Sequence, residues 1–319
     1  MASRTPHTPV MLNEVMEALS PRDGAIYVDA TFGAGGYAEA LLEAVDCTVW
    51  GIDRDPRALA IGADLESRFR GRVTVLNGRF GDMVRLLSEV GVERIDGIAL
   101  DLGVSSMQLD DPERGFSFRA DGPLDMRMAS SGMTAAEVVN RLTEKELADI
   151  IFRYGEERRS RRIARAIVES RRDSPITRTG KLAELVRRVV VKSKDGIDPA
   201  TRTFQALRIY VNDEMGELER GLNAAEILLR PGGRLSVVSF HSLEDRQAKE
   251  FLQGRSGTAA KPSRHLYLSP QTAEAAPTFK LLHRRVVKPT AAETEANPRA
   301  RSARMRAAER TETPARQAA

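Results

Sequence analysis

The stretch IYVDATFGAGG, residues Ile26–Gly36, decides the fold. Its apolar start ending in Asp29 predicts a buried strand, and the glycines at 33, 35 and 36 predict a sharp turn. From Tyr37 to Val45, apolar residues recur at helical spacing. A strand that passes through a glycine turn into a helix is typical of a nucleotide-binding α/β unit.

A second predicted strand, Cys47–Ile52, ends in Asp53. This acid follows Gly33 by roughly twenty residues, the offset at which such a unit places a carboxylate on ribose hydroxyls. Gly33, Gly35 and Ala38 also fit the alanine form of the dinucleotide fingerprint. The motif alone therefore leaves both NAD and S-adenosylmethionine open as ligands.

Three acids follow predicted strands: Asp29, Asp53 and Asp101, the last after Ile95–Leu100. Any one of them is also explained as a helix cap or a turn former. Three carboxylates around one crevice suit a cationic ligand better than a pyrophosphate. Because S-adenosylmethionine carries a sulfonium and an ammonium group whereas NAD is net negative, the charge pattern favours S-adenosylmethionine.

The bulk composition is that of a globular protein with one large or two smaller domains: 319 residues, 41% hydrophobic, net charge +4. The single cysteine, Cys47, excludes a disulfide framework and indicates a reducing compartment. Met1–Thr8 has no apolar signal region, and no apolar run has membrane-spanning length. We therefore expect a cytoplasmic protein with no membrane partner.

Further strands complete a mostly parallel, seven-stranded sheet. Val73–Leu76 and Arg234–Phe240 have strand character, and Phe279–Val287 is expected to pair with Arg301–Ala307 as an edge hairpin. One long helix is predicted over Thr203–Leu229, and Gly254–Ala276 has the composition of a mobile segment.

The regular alternation of strands and helices stops after Asp101. A long loop and then helices follow, two of them announced by the capping boxes Thr134-x-x-Glu137 and Thr143-x-x-Glu146. We expect residues 108–200 to form an all-helical insertion in a sheet domain made of 1–107 and 201–319. The insertion is rich in arginine, which suits either a nucleic-acid backbone or a solvated helix face.

Several motifs together resemble the bacterial RsmH (MraW) family, the cytidine N4-methyltransferases of small-subunit ribosomal RNA. The resemblance covers nearly the whole chain. It rests on His7-x-Pro9-Val10-x-Leu12, Asp29-x-Thr31-Phe32-Gly33-x-Gly35-Gly36, Asp53-Arg54-Asp55-Pro56, Asp101 to Asp110, Arg114 to Phe118, Gly122 to Arg127, Tyr154-Gly155-Glu156, Thr201 to Ala206, Ser239 to Arg246 and Asn297 to Ser302.

The resemblance implies an α/β protein with a Rossmann-like S-adenosylmethionine-dependent methyltransferase fold and an inserted helical domain for recognition of the RNA. The implied substrate is the exocyclic N4 of a cytidine in the decoding region of 16S rRNA, as naked RNA or within the small subunit. A homodimer is left open. The expected cofactor-binding residues, with Gly33 from the fingerprint, are Gly33, Gly35, Gly36, Tyr37, Asp53, Phe80, Asp101 and Gln108.

Some assignments stay open at the level of sequence. Tyr37 stands where the family usually has His, so only its backbone N–H is a firm expectation. Phe80 suits either an adenine contact or a core position. Asp101 is a candidate acceptor for the N4 hydrogens, and Ser105, Ser106 and His241 are candidates on the substrate side. His241 is equally compatible with a structural role.

Other functions also remain open. No Cys or His spacing fits a metal site, and no Walker loop or Ser/His/Asp arrangement occurs. The alternatives to an RNA methyltransferase are an NAD-dependent oxidoreductase, a non-catalytic RNA-binding assembly factor and a DNA cytosine-N4 methyltransferase.

Overall fold

The computed structural model describes residues 9–191, 196–258 and 276–316. The expectations about Met1–Thr8, including the motif that begins at His7, and about most of Gly254–Ala276 lie outside the described residues. The chain forms two compact units. We call residues 1–103 with 216–319 the sheet unit and residues 104–215 the helical unit.

Seven strands form one sheet: β1 (Ile26–Asp29), β2 (Thr48–Asp53), β3 (Val73–Asn77), β4 (Ile95–Asp101), β5 (Leu229–Ser239), β6 (Phe279–Leu281) and β7 (Arg304–Arg310). Their order is β3-β2-β1-β4-β5-β7-β6. Strands β1 to β5 pair in parallel, whereas β7 is antiparallel to both β5 and β6. This confirms the predicted α/β class and the mostly parallel sheet.

The helices, in chain order, are α1 (Leu12–Leu19), α2 (Gly36–Ala44), α3 (Pro56–Arg68), α4 (Met83–Glu89), α5 (Ser106–Asp110), α6 (Ala135–Arg141), α7 (Glu144–Gly155), α8 (Ser160–Asp173), α9 (Thr179–Val189), α10 (Ala200–Asn212), α11 (Glu214–Leu228), α12 (Ser242–Arg255) and α13 (Ala291–Ala296). Helices α5 to α10 belong to the helical unit.

The core of the sheet unit lies on both faces of the sheet. Tyr27, Val49 and Ala99 face one apolar cluster, to which α1, α2 and α3 contribute. Their neighbours Val28 and Ile98 face a second cluster, formed with α4, α11 and α12. Because β4 is covered on both faces, every residue from Ile95 to Leu100 is buried. This explains why the strand is mostly apolar in the sequence, with Asp96 as its one charged residue before Asp101.

The prediction of one helix over Thr203–Leu229 is wrong, because the chain breaks it at Asp213. This residue adopts a left-handed conformation (φ 51°), and its N–H bonds to the carbonyls of Ile209 and Tyr210, ending α10. Aspartate is one of the few residues that tolerate this conformation. The apolar spacing continues across the break, which is why the pattern suggested a single helix.

The structure also draws the domain boundary differently from the expected 108–200. Helix α10 was expected in the sheet domain, but Phe204, Ala206 and Leu207 are buried in the core of the helical unit.

Both predicted capping boxes are present. The side chains of Thr134 and Thr143 each accept from the backbone N–H of the glutamate three residues later, and each threonine N–H donates to the side chain of that glutamate.

The edge hairpin was predicted correctly, although its second strand is shifted. Strand β6 pairs with β7, and Val287 forms an isolated bridge to Met305. Pro298–Ser302 forms a 3-10 turn, so β7 begins at Arg304 and not at Arg301.

Candidate functional site

The crossover of the sheet unit lies between β1 and β4, where the strand order reverses. Open α/β sheets bind ligands outside the carboxyl ends of the strands at this point. Asp29 is paired across the sheet with Gly51 of β2 and Ala99 of β4. Asp29, Asp53 and Asp101 end β1, β2 and β4, so the structure gathers the three predicted acids at one edge.

Asp29 is buried and Asp101 is partly exposed, and each has one buried carboxylate oxygen whose hydrogen bonding is incomplete. Asp29 is 1% exposed, and its Oδ2 accepts from the N–H of Ala38 at 3.2 Å. One carboxylate oxygen of each, Oδ1, has no hydrogen-bond partner within the described ranges. Such buried oxygens are costly unless a ligand or a proton satisfies them.

Burial changes the protonation of these acids. It raises the pKa of Asp29 to about 7, against the lowering effect of the backbone hydrogen bonds from Ala38 and Thr31. The pKa of Asp101 is raised well above its usual range, first by burial and then by the charges of Asp29 and Glu244. Both carboxyls therefore retain protons more readily than free aspartate, unless a cation is beside them.

Asp53 holds the glycine turn in place. Its Oδ2 accepts from the N–H of Gly33 at 2.7 Å, and its Oδ1 accepts from the N–H of Asp55 at 2.8 Å. Burial raises its pKa, and these two hydrogen bonds oppose the rise. The structure thus joins the first glycine of the turn directly to the acid that the spacing singled out.

The close approach at Gly35 and Gly36 is to the protein itself. Gly35 has φ 77°, and a Cβ there would lie 2.6 Å from Leu65 Cδ1. A Cβ at Gly36 would lie 2.1 Å from Pro9 Cγ. These glycines are therefore required for packing, whatever ligand the turn binds.

The side chain of Tyr37 is directed to the N-terminal segment. It is 3% exposed, and its hydroxyl donates to the carbonyl of Val10. Only the backbone of Tyr37, in the first turn of α2, remains for a contact with a ligand.

Phe80 packs on helix α11 in the loop after β3. A Cβ at Gly221 would lie 2.5 Å from its ring, and Phe80 is partly buried against the second apolar cluster. The loop is anchored by Glu217, a 1% exposed residue of α11 that accepts from the N–H of Gly81 and pairs with Arg79 at 3.2 Å. Phe80 is thus held at the loop by the core, with part of its surface exposed.

His241 caps helix α12. Its Nδ1 accepts from the N–H of Glu244, and Nε2 lies 3.0 Å from Glu244 Oε1. Glu244 is 1% exposed, and its Oε2 accepts from the N–H groups of Phe240 and His241. This capping box gives His241 a structural task and brings a carboxylate near Asp101.

Ser105, Ser106 and Gln108 lie in the helical unit, at the start of α5. Ser105 Oγ accepts from the N–H of Gln108 at 3.3 Å, and Gln108 Oε1 accepts from the N–H of Ser105 at 3.2 Å. The structure therefore brings these predicted residues together in a capping box, with Gln108 buried.

The arginines of α8 divide into two groups. Arg171 donates to the carbonyl of Val139, and Arg165 lies 3.7 Å from Glu144. Arg161 and Arg162 are exposed, and no carboxylate of the described chain pairs with them. Arg172, near the end of α8, is exposed as well, so cations are available at both ends of this helix.

The family model described as the MraW methylase family matches residues 4–311. The chain belongs to this family. It is 67% identical over 310 residues to a Ribosomal RNA small subunit methyltransferase H from Rhodospirillum centenum, covering 97% of this chain and 94% of that protein. It is 62% identical over 313 residues to the protein of the same name from Paramagnetospirillum magneticum, covering 98% of each. The resemblance inferred from the motifs is confirmed.

Similarity to solved structures is weaker. An rRNA methylase from Streptococcus thermophilus is 11% identical with a TM-score of 0.37, covering 94% of each chain. The Rossmann-like fold is shown by the strand order of the sheet unit itself. Among the described residues, no helix is long and apolar enough to cross a membrane.

Two residues of this site were missed by sequence reasoning. Glu244 had a signal, because His241 and Glu244 have the spacing of a capping box with histidine in place of serine or threonine. Glu217 had no such signal. It is one of several glutamates in α11, and the sequence does not show which of them lies on the buried face.

Proposed function

We propose that the protein transfers the methyl group of S-adenosylmethionine to the exocyclic N4 of a cytidine in 16S rRNA. The observation that supports this most is the group of three carboxylates at the edge of β1, β2 and β4, two of which have a buried oxygen without a partner among the described residues, in a chain of the MraW methylase family. Relatives named as small-subunit ribosomal RNA methyltransferases support the choice of RNA.

The donor set fits a cationic cofactor. Asp29 and Asp101 each have a buried oxygen that lacks a partner in the described chain, and a positive group beside them favours their charged forms. We assign the Gly33–Gly36 turn and Asp53 to the nucleoside part, and the exposed part of Phe80 to the adenine. When bound, S-adenosylmethionine supplies an electrophilic methyl group.

The chain contributes mainly position and electrostatics. The cytosine N4 is a weak nucleophile because its lone pair is delocalised into the ring, and near-attack geometry is worth about 7–11 kcal/mol in favourable cases. We assign Asp101 to accept the N4 hydrogens. Its backbone is fixed by a 2.6 Å hydrogen bond from its N–H to Thr31 Oγ1. As N4 gains the methyl group it releases one proton, which the Asp101 carboxylate accepts.

The helical unit is assigned to the RNA. Exposed Arg161 and Arg162 offer cations to a phosphate backbone. The target base has to be unstacked to reach the methyl group, either in a single strand or by flipping. A ribosomal RNA substrate implies that the protein acts in the cytoplasm.

The test is product analysis with the purified protein, S-adenosylmethionine and either naked 16S rRNA or small subunits from a strain that lacks the enzyme. We expect N4-methylcytidine, detected by mass spectrometry of nucleosides, from one of the two RNA substrates. Methylation of DNA alone would show a DNA methyltransferase. No transfer to any substrate, with RNA still bound, would show an assembly factor. A nicotinamide cofactor bound in place of S-adenosylmethionine would show an oxidoreductase.

A further inference from the structure

A pocket of about 260 Å³ lies in the sheet unit between the start of α12 and the start of β7. Basic and hydroxyl side chains line it: Lys288, Arg301, Arg304, Ser242, Thr294 and Ser302. None of the lining residues is acidic. The pocket is therefore built for an anion, in contrast to the carboxylates at the other strand ends.

The charges of the pocket are only partly compensated. Arg304 lies 3.2 Å from Asp245, which Arg306 also contacts at 2.7 Å. Burial alone would raise the pKa of Asp245, but the two arginines hold it below its usual value, so this acid is charged. Lys288 and Arg301 are exposed and have no carboxylate partner in the ranges that the structure describes. Two cations therefore remain available to a ligand.

The size indicates what kind of anion fits. Sites for whole small molecules usually measure about 300–1,000 Å³, so this pocket fits part of a nucleotide better than a complete cofactor. Arginine and lysine beside hydroxyl groups are the side chains that contact phosphate oxygens in nucleic-acid complexes.

The pocket lies next to the reacting edge of the sheet. Asp101 is paired across the sheet with Val238 of β5. Two residues further on, Phe240 lines the pocket, and a Cβ at Gly103 would lie 3.8 Å from its ring. An anion held here is therefore on the side of β4 away from β1 and β2, where the cofactor is assigned.

We propose that this pocket holds a backbone phosphate of the RNA strand close to the target cytidine, with Lys288 and Arg301 as its principal contacts. The inference rests on the proposed function and adds a phosphate-binding site within the sheet unit. It assigns substrate positioning to residues of the C-terminal segment, separate from the arginines of the helical unit.

The test is the double variant Lys288→Gln with Arg301→Gln, measured by binding of a labelled single-stranded fragment of 16S rRNA over a range of salt. Loss of this one phosphate contact should lower the magnitude of the salt slope by about 0.7 and weaken binding at low salt roughly tenfold or more. Affinity for S-adenosylmethionine should not change. The matched control is Arg284→Gln with Arg285→Gln, two exposed arginines of the same segment that do not line the pocket.

A second measurement locates the phosphate. A neutral methylphosphonate is placed at one position at a time near the target cytidine. One position should weaken binding to the wild-type protein and leave the double variant unaffected. An unchanged salt slope in the double variant, or an equal loss in the control, overturns the proposal. Methyl transfer by the wild type is assayed in parallel, so that failure of the proposed function is seen separately.

Discussion

The carboxyl edge of the sheet is acidic in one half and basic in the other. At β1, β2 and β4 the charged groups are buried or partly buried aspartates, whereas between α12 and β7 they are mostly exposed lysine and arginine. In the acidic half, burial raises the pKa values of the aspartates, so their charge depends on pH. Exposure keeps the cations of the second half ionised and lets salt screen them. Cofactor binding should therefore respond to pH, and RNA binding should respond to ionic strength.

The largest expected effect comes from Asp101→Asn in the acidic half. The amide keeps the shape but cannot accept a proton, so kcat should fall by about 10²–10³. The measurement is methyl transfer under saturating cofactor, with Asp82→Asn as an exposed aspartate control. Wild-type kcat in Asp101→Asn would break the assignment of an acceptor at this position.

The next effect is pH dependence of cofactor affinity. Because burial raises the pKa of Asp29 to about 7 and a cation favours the carboxylate, affinity should rise about tenfold from pH 6 to pH 8. The free protein should behave oppositely. Between about pH 4 and 7 the folded state binds the proton that the unfolded state has released, so its free energy of unfolding falls as pH rises.

Calorimetric titration with S-adenosylmethionine across this pH range measures the first trend, and denaturant unfolding measures the second. Asp29→Asn should flatten both. An affinity that is independent of pH in the wild type would show that Asp29 is not near the positive charge.

Neutralising two arginines of the helical unit tests whether RNA binding depends on ionic strength through these residues. Arg161→Gln with Arg162→Gln should weaken RNA binding several-fold and reduce the magnitude of the salt slope by about 1.4, with no change in its pH dependence. Binding to 16S rRNA at several salt concentrations is the measurement. Arg141→Gln, whose arginine already pairs with Glu137 at 3.0 Å, is the control. An unchanged slope would mean that this face is simply solvated.

Glu217→Gln tests whether the loop after β3 is held from α11. The amide cannot neutralise Arg79 and donates poorly matched hydrogens, so we expect a loss of about 1–2 kcal/mol in the free energy of unfolding and weaker cofactor binding. Thermal unfolding and calorimetry report the two effects. Glu219→Gln, an exposed site on the same helix, should change neither. Normal cofactor affinity in Glu217→Gln would show that the loop after β3 does not contribute to cofactor binding.

The smallest effect is expected for Tyr37→Phe. It removes the hydrogen bond to Val10 and should cost about 1 kcal/mol of stability, while cofactor affinity stays within a factor of two. Tyr210→Phe, at an exposed position, serves as the control. A large loss of cofactor affinity without loss of stability would assign the Tyr37 hydroxyl to the ligand.

The strands of the sheet, the glycine turn and the acids at the edge of the sheet could be predicted from the residues alone. Those features depend on short-range regularities: apolar stretches of strand length, glycines at a turn, and a carboxylate at the end of three of the strands. The family also followed from the motifs alone, because their residues and order are specific over nearly the whole chain.

Only the tertiary structure decided what individual side chains contact. The break at Asp213 depends on one backbone conformation, and the place of α10 depends on which core buries Phe204. The role of Glu217, and the cations gathered between α12 and β7, come from residues distant in the chain. Periodicity reports the face of an element that is buried but not its partner, and so these contacts had no signal in the sequence.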